Sequence, residues 1–193
     1  MGKQNGPLSL SLLKPVLSGC CKQRAEGAPR KGRVLALVLC LITGAASAQA
    51  PLTLPEVDYI RVQKAARTMQ LYSAGQLAHT IHGIQLGDAP IGHKRFQGDE
   101  RTPEGRYTID YGNPNSGYFL SLHISYPNAA DRAYAAAQGR SPGGLIFIHG
   151  QPNGLPAGRV PGDWTDGCIA VSNEEIEALW EAVPDGAVID LLP

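Results

Sequence analysis

Apolar and polar positions alternate along much of the chain after residue 56. Residues 57–62 alternate cleanly, which predicts a strand. Residues 68–72 and 77–84 flank Ser73-Ala74-Gly75-Gln76, the pattern of a β-hairpin. Residues 106–111 and 118–124 predict two more strands. Residues 145–148 are a continuous apolar run, which predicts a buried strand, and residues 187–192 predict a closing one.

Two segments have helical spacing instead. Residues 128–138 are Ala-rich, with Asn128 placed as N-cap and Gly139 as terminator. Ser172 and Glu175 have capping-box spacing, and Ile176, Leu179, Trp180 and Val183 then share one face as its core side. Pro184-Asp185-Gly186 turns the chain into the last strand. Residues 87–105 and 151–164, rich in Gly and Pro, predict long loops. No repeat and no second domain is visible. The prediction is a strand-dominated α+β domain over 57–193 with two short helices, entered through an extended linker, 49–56.

The first 48 residues have another character. Arg30, Lys31 and Arg33 precede a nine-residue uncharged run, 34–42, and then a stretch of small residues. That order predicts a secretory signal with an A-x-A cleavage site at Ala46-Ser47-Ala48, although the region before the apolar run is long. The run is shorter than the roughly 20 residues a membrane span needs, so peripheral membrane association is expected only if the leader is retained. Leu39 before Cys40 is not the small residue that lipidation requires.

Seven of the 17 basic and one of the 17 acidic residues lie in 1–48. The remainder therefore carries 10 basic and 16 acidic residues, a net charge of −6. An acidic domain without a basic stripe excludes nucleic acid as the expected partner. Cys20, Cys21 and Cys40 also leave with the leader, and Cys168 stays alone. It has no partner for an internal disulfide, so it is either a small buried hydrophobe or a functional thiol.

A thiol becomes a nucleophile when a nearby imidazole takes or holds off its proton. His149 ends the apolar run and precedes Gly150, which would leave room for a substrate. Cys168 lies in Trp164-Thr165-Asp166-Gly167-Cys168-Ile169, where the N–H groups of Gly167 and Cys168 would face an oxyanion. Cys168 is thus the expected nucleophile, held as thiolate by His149 as general base.

These residues resemble the YkuD-type (ErfK-type) L,D-transpeptidase catalytic domains. The resemblance rests on His149-Gly150, the 15 residues from Gly150 to Trp164, and Thr165-x-Gly167-Cys168-Ile169. Upstream, Gly98-Asp99-x-x-Thr102-Pro103-Glu104-Gly105-x-Tyr107 resembles the family's opening loop and strand. Ser121-Leu122-x-Ile124-Ser125-Tyr126-Pro127-Asn128 is similar to its YafK-like branch. The resemblance implies a mixed β-sandwich or barrel and a cysteine acyltransferase that needs no metal or organic cofactor. It implies peptidoglycan stem peptides as partner, a thioester on Cys168 and transfer to an amine, giving 3-3 cross-links in the periplasm or cell wall. Two departures stand beside the cysteine: Asp166 where the family has His, and Ala170 where it has Arg. A periplasmic cysteine hydrolase, trimming stem peptides or releasing an attached protein, uses the same two groups. A wall-binding module would leave Cys168 inert.

Thr165, Asp166, Gly150, Trp164, Tyr126 and His123 are the substrate-binding candidates. Each has a plainer reading. Asp166 would cap the turn into the catalytic strand, Trp164 would plug its loop onto the core, and Tyr126 would pack in the core or at its rim. His123 would be a satisfied strand residue. His93 is a further cleft candidate, and His79 and His82 read as surface. Arg101, Arg106, Arg132, Arg140 and Arg159 are the candidate cations to replace the missing Arg.

Overall fold

Every predicted strand forms, and an unforeseen one beside the cysteine completes an eight-stranded mixed sheet in the computed structural model, which describes residues 51–193. The expected leader, 1–48, with its cleavage site and cysteines, lies outside the described residues. The strands are β1 (Tyr59–Gln63), β2 (Thr68–Ser73), β3 (Gln76–His82), β4 (Gly105–Ser116), β5 (Phe119–Ile124), β6 (Ile146–His149), β7 (Ile169–Ala170) and β8 (Val188–Leu192). The helices are α1 (Ala129–Ala137) and α2 (Asn173–Ala182).

The sheet order is β3-β2-β1-β8-β4-β5-β6-β7. The β1–β8 and β6–β7 pairs are parallel, and the rest are antiparallel. β4 pairs with β8 through Gly105–Thr108 and with β5 through Ile109–Ser116, so one long strand joins the two halves. The sheet curls until its ends meet: Gln85, past β3, exchanges backbone hydrogen bonds with Ala170 of β7 at 2.9 and 2.8 Å. Ile60, Met69, Leu71, Ile109, Ile124, Ile148, Ile169 and Ile189 fill the interior. Each such side chain contributes about 1.5–3 kcal/mol by leaving water.

Both helix starts form as the sequence predicts. Asn128 accepts from the N–H groups of Ala130 and Asp131, and Ser172 accepts from Glu175. Each cap is worth about 1 kcal/mol. Gly139, at φ 64, follows the α1 cap.

Five details differ from the periodicity. β1 starts two residues late, at Tyr59, although Val57 is buried and donates to the Ala182 carbonyl at 2.8 Å. β4 continues to Ser116 through Pro114, because register shifts against β5 absorb the irregular residues. Leu145 is not the start of the buried strand: it is 71% exposed at φ 56, and β6 begins at Ile146. Tyr118 belongs to the β4–β5 turn rather than to a strand. Trp180, expected in the core, packs against it from the rim and covers Gly112.

Candidate active site

β6 splits its side chains between two faces. Ile146 and Ile148 enter the core, while Phe147 and His149 point the other way. β7 lies parallel beside it, with Ile148 opposite Ile169 and His149 opposite Ala170. One step back in that register, Cys168 stands opposite Phe147, whose N–H donates to Sγ at 3.4 Å. Cys168 and His149 therefore share a face on adjacent strands. Both line a cavity of about 490 Å³, together with Tyr118, Phe147, Trp164 and Asp166.

The turn that presents the cysteine is held from two sides. Thr165 Oγ1 donates to the Cys168 carbonyl at 2.8 Å and accepts from the Gly167 N–H at 3.2 Å. Gly167 has φ 124, and a Cβ there would lie 2.5 Å from the Arg101 carbonyl oxygen. Only glycine permits this approach of the 101–104 loop. Lys64, buried beneath that loop, donates to the carbonyls of Gly92 and Thr102 at 2.6 and 3.0 Å and to Glu104 at 2.8 Å. Asp99 closes the loop's other end on the N–H groups of Arg95, Phe96 and Arg101. Those bonds and Lys94 hold its carboxyl below the usual range, against the opposing effect of burial.

His149 is buried, and its Nδ1 lies 2.7 Å from the Gly150 carbonyl oxygen. A carbonyl only accepts, so Nδ1 carries the proton and Nε2 keeps its lone pair. The Tyr118 ring lies against the imidazole at 4.6 Å between centroids, and Trp164 meets it edge-on at 5.6 Å. Burial pushes the imidazole below its ordinary pKa, outweighing the Gly150 bond. Burial pushes the Cys168 thiol up, and Asp166 adds to this, against the Phe147 N–H and Lys94. Desolvation thus works against the expected thiolate and favours a neutral thiol beside a neutral imidazole. Consistently, the thiol's hydrogen-bond partners are the Phe147 N–H and, at 3.6 Å, the Leu145 carbonyl, and among the described residues no hydrogen bond joins Sγ to His149.

The other candidates separate. Trp164 and Asp166 line the cavity. Trp164 Nε1 is buried without a hydrogen-bond partner. Asp166 is exposed and does not cap the turn, a task that falls to Thr165, whose hydroxyl is spent within it. The Gly167 N–H is bonded to that same hydroxyl, which leaves Cys168 N–H as the better placed of the two expected oxyanion donors. Gly150 makes no room for substrate. A Cβ there would lie 2.5 Å from Asn173 Oδ1 and 3.1 Å from Ile176 Cγ2, so the space serves α2. Tyr126 is core, donating to the Pro142 carbonyl at 3.0 Å. His123 lies outside the cavity lining and pairs with Asp110 at 2.6 Å. His93 is structural, bonded to Asp131 at 2.9 Å and to the Glu104 N–H at 2.8 Å.

None of the five candidate arginines lines the cavity. Arg106 pairs with Asp190 and Arg159 with Glu175. Arg132 donates to the Pro127 carbonyl, Arg140 covers the Phe96 ring and Arg101 lies beside Gly92.

Sequence reasoning missed several supporting residues. Asn153 grips the β4–β5 turn: its Oδ1 accepts from the Phe119 N–H at 2.7 Å, and its Nδ2 donates to the Ser116 carbonyl at 3.0 Å. That grip sets Tyr118 on His149. Gln151, buried, joins the Val171 carbonyl and Gln85 Oε1 at 2.7 and 3.1 Å. A polar residue directly after His149-Gly150 is the one sequence signal that marked it.

The Escherichia coli (strain K12) protein "Putative L,D-transpeptidase YafK" is 29% identical over 136 residues, covering 68% of this chain and 48% of that protein. The solved structure of the helical cell shape determining protein Pgp2 from Campylobacter jejuni is 27% identical with a TM-score of 0.57, covering 74% of this chain and 50% of that one. The chain thus spans about half the length of these relatives. Residues 57–191 match the model of the L,D-transpeptidase catalytic domain, YkuD, and the chain belongs to that family.

Proposed function

We propose that the protein is an exported peptidoglycan L,D-transpeptidase with Cys168 as nucleophile and His149 as general base. The observation that carries this reading is the placement of Cys168 and His149 on adjacent parallel strands, facing one cavity. As Sγ attacks the carbonyl between the third and fourth residues of a stem tetrapeptide, its proton passes to His149 Nε2. The oxyanion forms near the Cys168 N–H. The C–N bond breaks, His149 returns the proton to the leaving D-Ala amine, and a thioester remains on Cys168. An amine of a second stem peptide then attacks, giving its proton to His149. The C–S bond breaks, the proton returns to Sγ, and a 3-3 cross-link results. The cell-shape role in the name of the Campylobacter relative fits an enzyme that remodels the wall.

A second reading has water in place of the amine, which makes the protein a cysteine hydrolase. It is favoured by Ala170, fully buried where the family carries Arg, and by a cavity with an acidic residue, Asp166, and no Lys or Arg among the described residues that line it. Incubation with disaccharide tetrapeptide, read by mass spectrometry, separates the two. Cross-linked dimers and lost D-Ala support the transpeptidase, and monomers without dimers support the hydrolase. If neither substrate nor a carbapenem leaves an adduct on Cys168, both readings fail.

A further inference from the structure

A row of side chains crosses four strands on the active-site face. Cys168 stands opposite Phe147, Phe147 opposite His123, and His123 opposite Tyr111. Strands lie about 4.8 Å apart, so the row runs roughly 14 Å from the nucleophile to β4. Its far end is polar and aromatic together. Tyr111 is 41% exposed and stacks on His123 at 4.5 Å and 19°. His123 also meets Phe147 edge-on at 4.8 Å. The register shift between Ile109 and Tyr111 leaves Asp110 as an extra residue in β4. The bulge brings its carboxylate to the Tyr111 face, 2.6 Å from His123 Nδ1. Bulges that re-aim a side chain recur beside active sites, and neither the proposed chemistry nor the core uses this one.

We infer that Tyr111, His123 and Asp110 form a saccharide platform that holds the amino sugar of the same peptidoglycan strand whose stem peptide reaches Cys168. The inference rests on the peptidoglycan reading above. Its chemistry is an open aromatic ring for the apolar face of a pyranose, with a carboxylate beside it for hydroxyls. Its reach also fits. Three residues separate the attacked carbonyl from the sugar, and an extended chain of that length covers about 10 Å before the linking group is added. Phe147 and His123 form the floor between the two ends.

Two measurements test the platform. Cys168→Ala protein is titrated with the N-acetylglucosamine–N-acetylmuramic acid disaccharide, without peptide, and followed by NMR. Shifts at Tyr111, His123 and Asp110 are expected. Their absence at millimolar sugar, or shifts confined to the Cys168 cavity, overturns the platform. In the second, wild type is expected to prefer disaccharide tetrapeptide over free tetrapeptide by about threefold to tenfold in kcat/KM, and Tyr111→Leu to erase that preference. An unchanged preference overturns the platform too. If D-Ala is released from neither substrate, the transpeptidase reading falls, and the titration alone decides the platform.

Discussion

His149 Nδ1 lies 2.7 Å from the carbonyl oxygen of Gly150, its own neighbour in sequence. A backbone carbonyl does here what a carboxylate does in many triads: it fixes the tautomer and aims Nε2. A carbonyl brings no full negative charge, so it does little to stabilise an imidazolium. Burial acts on both groups toward their neutral forms, which favours a proton that moves during attack.

The first consequence concerns alkylation. The rate of Cys168 with iodoacetamide is expected to rise only near or above the free-thiol pKa of about 8.5. His149→Ala is expected to leave that profile in place while lowering D-Ala release by about 10²–10⁴-fold. A thiol titrating well below 7 in wild type, and returning toward 8.5 in the variant, would refute the neutral pair.

The same burial links pH to stability. The folded-state pKa of His149 is depressed, so its neutral form is favoured by folding. Its contribution is fully present above the unfolded value of about 6.5 and is lost as pH falls toward the folded pKa. Thermal melts between pH 8 and 5 should fall more steeply in wild type than in His149→Gln. Parallel curves would show that this imidazole is not the group being desolvated.

Much of this architecture is legible in the sequence. Alternation gave the strands around Ile60, Leu71 and Ile189, and capping spacing gave both helix starts, because these signals are local. β7 escaped because two residues carry no period. Tyr118 was misread because an aromatic beside alternating residues looks the same in a turn as in a strand. Spacing singles out His149 and Cys168, which the structure brings onto one face, but it does not report their desolvation, because burial is a property of the assembled sheet. Asn153 and Lys64 act on partners 28 to 40 residues away, which no local pattern reports.

Gly167 gives a test of the cysteine turn. With φ at 124, and a Cβ that would meet a backbone oxygen at 2.5 Å, substitution by Ala forces the 101–104 loop or the turn to move. Gly167→Ala is expected to cost about 1–3 kcal/mol, read as a fall in Tm of several degrees, and to abolish thioester formation. Normal acylation with an unchanged Tm would mean that the turn is not held as described.

Tyr118, like Asn153, has a role that only the structure reveals. Its ring covers His149 at 4.6 Å, and Asn153 holds the turn that carries it. The cover helps to exclude water from the imidazole, and that exclusion is what lowers its pKa. Tyr118→Ala should therefore raise the apparent pKa on the acid limb of kcat/KM toward about 6.5. Tyr118→Phe keeps the ring and should leave the limb where it is. Asn153→Ala should shift the limb in the same direction by a smaller amount, because it loosens the turn without removing the ring. A loss of rate with no change in the acid limb, in both Tyr118→Ala and Asn153→Ala, would assign the ring to substrate contact instead of to the protonation of His149.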